Sequence, residues 1–117
     1  MAAPKPVETI KKRADFLVAQ AGEKAGTPSL LLIRGKAPNG LDRIRVGYTV
    51  TKKIGKAVIR NRIRRRLREA ARQIFPDHGA AGFDYVLIAR PAAQSRDFAL
   101  LLDDMKRGLL RLAALPK

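Results

Sequence analysis

Apolar and polar positions along this chain recur with two different periods, and the switches between them mark its elements. From residue 7 to residue 21, Val7, Ile10, Ala14, Leu17, Val18 and Ala21 return at helical spacing. That predicts an amphipathic helix stopped by Gly22. Phe16 falls off the stripe, beside Lys12 and near Gln20, so its ring must pack on another element or meet a ligand. Residues 23–29 read as irregular or as a short edge strand before Pro28. Leu30 to Arg34 reads as a strand, and Ala37-Pro-Asn-Gly40 as a turn, because Asn-Gly accepts positive φ. Ile44, Val46, Tyr48 and Val50 then alternate with Arg45, Gly47 and Thr49, the period of a half-buried strand. The two runs and the turn between them predict a hairpin.

A second helix is predicted over residues 58–75, with Ile59, Ile63, Leu67, Ala70 and Ile74 on one face and Pro76 as its stop. Tyr85 to Ala89 is a compact apolar strand ended by Pro91. A third helix spans residues 96–114, with Phe98, Leu101, Leu102, Met105, Leu109 and Leu112 facing the core and the Asp103–Asp104 pair on the solvated side. Residues 1–6 carry two prolines and read as a frayed tail. Three helices and a small mixed sheet in the order α-β-β-β-α-β-α predict a two-layer α+β sandwich. The 117 residues suit a single domain, residues 1–117.

Charge changes this picture. Lys and Arg number 25 against 10 Asp and Glu, a net charge of +15, which calls for a polyanionic partner. With no cysteine and only His78, placed in a loop, the chain offers no disulfide, no thiolate chemistry and no metal cluster. No nucleophile–base pair is evident either, so a stand-alone nuclease is disfavoured. The first residues lack the apolar stretch of a signal peptide, and no apolar run reaches the roughly 20 residues of a bilayer span. The expected location is cytoplasmic, with no membrane partner.

The charge is concentrated. Between residues 52 and 72 stand Lys52, Lys53, Lys56, Arg60, Arg62, Arg64, Arg65, Arg66, Arg68 and Arg72, with Glu69 the only acid. On a helical projection Asn61, Arg62, Arg64, Arg65, Arg68 and Arg72 spread opposite the apolar face, and Arg60 and Arg66 flank it. Arginine predominates, and its planar fork binds phosphate bidentately. Crowded like charges cost stability, and a bound polyanion relieves that cost. Lys53-Ile-Gly-Lys56 leads into the helix N-terminus, which adds dipole attraction for anions but lacks the Walker A pattern. These residues alone do not separate RNA from DNA, and a ribosomal protein, a major-groove helix or a membrane-surface helix carries similar charge.

Lys52-Lys-Ile-Gly-Lys-Ala-Val-Ile-Arg-Asn-Arg-Ile-Arg-Arg66, centred on Arg60-Asn61-Arg62, resembles the signature of the bacterial ribonuclease P protein family. Arg45-Val-Gly-Tyr-Thr-Val-Thr-Lys-Lys53, Asp84-Tyr-Val-Leu-Ile-Ala-Arg-Pro91 and Lys12-Arg-Ala-Asp-Phe16 are similar to its flanking segments, and the resemblance covers roughly residues 8–113. It implies a non-catalytic protein subunit that helps an RNA, with magnesium in the holoenzyme and no cofactor of its own, remove the 5′ leader from precursor tRNA. It implies that Lys52, Lys53, Lys56, Arg60, Asn61, Arg62, Arg64, Arg65, Arg66 and Arg68 bind the catalytic RNA. It places Phe16, Lys12 and Arg45 at the single-stranded leader, in a cleft between the sheet and the first helix. It further implies a monomer in the holoenzyme and a left-handed β-α-β crossover. The chain departs from the family at Gln20, where a second aromatic is often found, and Leu30 to Ile33 carries none.

Overall fold

The computed structural model describes residues 7–115; the tail expected over residues 1–6 lies outside them. The chain opens with a strand, β1 (Val7–Thr9), where the sequence predicts the start of a helix. Val7 and Thr9 are β-branched and favour extended backbone, and they pair in parallel with Ile44 and Val46. The helix α1 is thereby confined to Arg13–Gln20. Two strands follow, β2 (Glu23–Gly26) and β3 (Leu30–Arg34), then β4 (Ile44–Thr49). A 3-10 turn at Lys52–Ile54 leads into α2 (Ala57–His78), β5 (Asp84–Ala89) completes the sheet, and α3 (Phe98–Ala114) closes the order. The predicted α+β sandwich is thus present, with β1 added ahead of the first helix.

The five strands lie in the order β1-β4-β5-β3-β2. The predicted hairpin between β3 and β4 does not form, although Gly40 does turn the chain with φ at +78°. Instead β5 inserts between them, antiparallel to β3 and parallel to β4. Strand β5 is nearly all apolar and suits a central position buried on both faces. The parallel β4–β5 pair requires a long crossover, and α2 supplies it.

Period-two alternation sorts the sheet into two faces. Leu30, Leu32, Ile44, Val46, Tyr85 and Leu87 meet α2 and α3 in the main core, with Ile63, Leu67, Phe75, Leu101, Met105 and Leu109. Ile33 and Val86 meet Ala19 of α1 on the other face, with Ile10 beside them and Phe16, Leu31 and Ile88 partly covered. The predicted α1 stripe is therefore on the wrong side: Leu17 and Val18 are exposed and Phe16 and Ala19 face inward. Once β1 and the turn after it take Val7 and Ile10 out of the helix, nothing in the sequence anchors its rotation.

Helix α2 runs past Pro76 to His78. Proline in the last turn removes one hydrogen bond, and its fixed φ is helical; Gly79 N–H closes the turn on Phe75 O at 2.8 Å. His78 is accordingly half-buried at a helix end and not in a loop. The buried α2 residues are Ile63, Leu67, Ala70, Ala71 and Phe75, with Ile59 and Ile74 half-buried. Asp104 corrects a second expectation: it is 3% exposed, accepts from Ser29 Oγ at 2.7 Å and pairs with Arg96 at 2.6 Å.

Candidate nucleic-acid interface

The site begins where β1 ends. β1 covers β4 only as far as Val46, and no strand among the described residues pairs with Gly47–Thr49 on that side. The chain turns at Ile10, whose N–H donates to Val46 O at 3.0 Å, and rises into α1. Between this turn, the open end of β4 and the flank of α2 lies a groove of about 450 Å³. Lys11, Lys12 and Arg13 form one wall, Tyr48, Thr49 and Val50 the other, with Phe16 and Gln20 between them and Arg64 reaching in from α2. No carboxylate lines it.

Phe16 is held down by what it lies on. A Cβ at Gly47 would come within 2.6 Å of its ring, so the missing side chain of Gly47 is what allows the ring to rest on the sheet. Tyr48 is largely buried, which pushes its phenol up to about 12, so the phenol stays neutral and able to donate at any physiological pH. Its ring carries the Arg68 guanidinium at 5.7 Å.

Of the expected leader residues, Phe16 and Lys12 line the groove and Arg45 does not. Arg45 binds Asp84 with two hydrogen bonds, Nε to Oδ1 at 2.8 Å and Nη2 to Oδ2 at 2.7 Å. It also donates to Asp15 of α1 at 3.2 Å. The hydrogen bond to Asp84 raises the Arg45 pKa above its ordinary value, against the smaller opposing effect of burial. Asn39 Nδ2 donates to the same Asp84 carboxylate at 2.8 Å, so this network ties α1 and the loop before β4 to the sheet. Lys11, Arg13 and Tyr48 were not singled out from sequence. The signal was the unbroken Lys11-Lys12-Arg13 run, hidden inside a segment read as continuous helix.

The cations assigned to the catalytic RNA fall into distinct groups. Lys52, Lys53 and Lys56 are exposed on the approach to α2, and no side chain caps the helix at Lys56. Asn61, Arg62 and Arg65 are exposed on its outer face. Arg62, Arg65 and Arg66 line a shallow depression against Phe98 at the α3 side. Arg66 is partly consumed by the fold: it donates to the Arg96 carbonyl and lies 5.8 Å from the Phe98 ring. Arg60 is half-buried with its Nε shielded from solvent. Arg64 and Arg68, placed opposite the core by projection, lie on the flank toward β4 and the groove, because Ala71 and Phe75 rotate the buried face toward them. Among the described residues no group of three or more His, Asp or Glu side chains is placed to hold a metal ion. No helix among them is long and apolar enough to cross a membrane.

A mixed sheet backed by two helices, with a third helix and a flank of α2 enclosing a cationic groove, defines a small basic α+β protein with two adjoining cationic surfaces. The chain belongs to the ribonuclease P protein family, whose model, described as Ribonuclease P, matches residues 5–113. The ribonuclease P protein component of Paramagnetospirillum magneticum is 48% identical over 115 residues, covering 95% of this chain and 86% of the relative. That of Ruegeria pomeroyi is 48% identical over 110 residues, covering 92% and 88%. Among solved structures, the ribonuclease P protein of Staphylococcus aureus superposes with a TM-score of 0.72 at 28% identity, covering 91% of this chain and 94% of that one. The protein from Thermotoga maritima superposes with 0.68 at 30% identity, covering 86% and 96%.

Proposed function

We propose that this chain is the RNA-binding subunit of a cytoplasmic ribonuclease P, assisting a catalytic RNA in removing the 5′ leader from precursor tRNA. The outer face of α2, with Arg62 and Arg65 and the lysines that precede it, docks on the catalytic RNA through phosphate contacts and counterion release. The groove holds the single-stranded leader, with Phe16 as a stacking platform beside Lys12. One copy of the protein serves each holoenzyme. Magnesium belongs to the RNA in this reading, and no step is assigned to a metal on the protein.

The observation that carries the reading is the adjacency of the two surfaces: a groove lined by cations and no acid shares α2 with an exposed arginine face. The test is reconstituted cleavage at low magnesium, where the RNA alone is slow. The protein is expected to restore accurate cleavage of a leader-bearing precursor and to be inert without the RNA. Binding to RNA without stimulation of a competent catalytic RNA would reduce the chain to a general RNA-binding module.

A further inference from the structure

Two depressions flank α2, one lined by Arg64 and the other by Arg62, Arg65 and Arg66. Arg60, Arg64 and Arg68 stand at i, i+4 and i+8, one ridge of a helix. Arg64 on this ridge lines the groove with Phe16, Lys12 and Tyr48, and Arg68 lies over the Tyr48 ring. Arg62 and Arg65 line the other depression, beside Phe98. Arg64 is also oriented: its Nη1 donates to Asn61 Oδ1 at 3.0 Å, so the middle residue of Arg60-Asn61-Arg62 directs its oxygen at Arg64. The remaining cations of the groove, Lys11, Lys12 and Arg13, all come from the α1 side. Arg64 is the positive charge that faces them from α2, and a single-stranded RNA lying between it and the α1 cations has its phosphates met from both sides.

We infer that Arg64 holds the single-stranded leader and does not contact the catalytic RNA, with Asn61 as its positioning residue. This rests on the groove being the leader site. One helix then grips two RNAs by different edges, so leader binding and docking on the catalytic RNA are separable by substitution even though they share α2. Arg64 carries a fixed charge into the groove, which suits phosphate recognition independent of leader sequence.

The test compares holoenzymes assembled with the unaltered protein, Arg64→Ala, Arg64→Lys, Asn61→Ala and Arg62→Ala. Each is titrated with precursor tRNA carrying a leader of several nucleotides and with one carrying a single-nucleotide leader. The affinity of each protein for the catalytic RNA alone is measured alongside. Arg64→Ala is expected to lower affinity for the long-leader substrate roughly five- to tenfold, as for a solvent-screened charged hydrogen bond. Its salt dependence should become shallower by about 0.7 in log–log slope, the value for one phosphate of a single strand. The short-leader substrate and the protein's affinity for the catalytic RNA should change less than about twofold. Arg64→Lys should recover most of the loss. Asn61→Ala should give a partial version of it in KM with kcat unchanged. Arg62→Ala should do the reverse, weakening the catalytic-RNA complex and sparing the leader-length difference. If Arg64→Ala weakens binding to the catalytic RNA and leaves the leader-length difference intact, the inference is overturned. If the unaltered holoenzyme shows no leader-length difference, the groove reading itself fails and the inference falls with it.

Discussion

The two faces of the sheet are built to unequal depth. Against α2 and α3 the buried cluster has nineteen residues among those described, from Ala25 to Leu112, and includes Phe75 and Tyr85 in an edge-to-face contact with ring centres 5.0 Å apart. Against α1 it has four: Ile10, Ala19, Ile33 and Val86. Helix α1 is only eight residues long, too short to be stable alone. It is fixed by Phe16 resting on Gly47 and by the Arg45–Asp84–Asp15 ion pairs. Stability is thus concentrated on one side of the sheet, and the other side is left thin enough to be open beside β4. A groove needs that thinness, because a second full layer would fill it.

The contrast breaks most visibly at Phe75. Phe75→Ala should cost about 3–5 kcal/mol of unfolding free energy, through lost burial and the cavity left against Tyr85. For a domain with a typical stability of roughly 5–15 kcal/mol this is a large share, and urea unfolding will show it as a lowered midpoint. A loss below about 1 kcal/mol would mean that the main core is not where stability resides.

Arg45→Ala probes the thin face. It strips Asp84, 8% exposed, of its bidentate partner and leaves only Asn39 on that carboxylate. Breaking a buried pair costs more, but Arg45 is partly solvated, so about 2–3 kcal/mol is expected. Leader affinity should fall with it, because α1 loses its tie at Asp15. A fall in leader affinity with unchanged unfolding would make Arg45 a direct leader contact and not an anchor.

The two faces were not equally legible in the sequence. The main face announces itself: the alternation of β4, the apolar run of β5 and the stripes of α2 and α3 all report large burial, and burial is what periodicity encodes. The α1 face buries so little that its pattern misleads. Ala14, Leu17, Val18 and Ala21 make a regular stripe that faces water, and the residue that seemed misplaced, Phe16, is the one that packs. Strand order was hidden for another reason. Whether β5 pairs beside β3 or slips between β3 and β4 is decided by contacts distant in sequence, and the Asn39-Gly40 turn suits either arrangement. The basic helix was legible as a charge density, but its division into edges depends on the rotation that Ala71 and Phe75 impose. Asp104 was unreadable because its partners, Ser29 and Arg96, come from other elements.

Gly47→Ala sharpens the comparison by perturbing the thin face with one methyl group. The new Cβ would sit 2.6 Å from the Phe16 ring, and the ring must lift. Because the obstacle is a half-covered side chain, the stability loss should be near the low end for overpacking, about 1 kcal/mol. The ring's loss of position should matter more to function. Stacking on an aromatic is worth roughly 1–3 kcal/mol per base, so leader affinity should drop about fivefold or more while docking on the catalytic RNA is unchanged. Equal losses in both affinities would place Phe16 outside the groove's work.

The smallest effect belongs to Glu69, the acid among the arginines of α2. Arg72 holds it with hydrogen bonds of 2.9 and 2.6 Å and Gln73 with one of 3.2 Å, and these lower its pKa to about 2. The folded value lies below the unfolded one, so the stabilisation it contributes is fully present above the ordinary carboxylate range and is lost progressively as pH falls from there through about 2. Glu69 is therefore ionised near neutral pH, beside the face of α2 proposed to dock on the catalytic RNA. Glu69→Gln should tighten docking on the catalytic RNA by about twofold, a screened surface effect, and leave leader-length dependence alone. Because the carboxylate titrates below the ordinary range, the ratio of the two affinities should be flat from about pH 8 down to about pH 4. A ratio that closes as the pH falls from about 5 to about 4, where an unheld glutamate takes up its proton, would show that Arg72 and Gln73 do not hold Glu69 in solution, and that Arg72 is instead free to join Arg62 and Arg65 on the outer face.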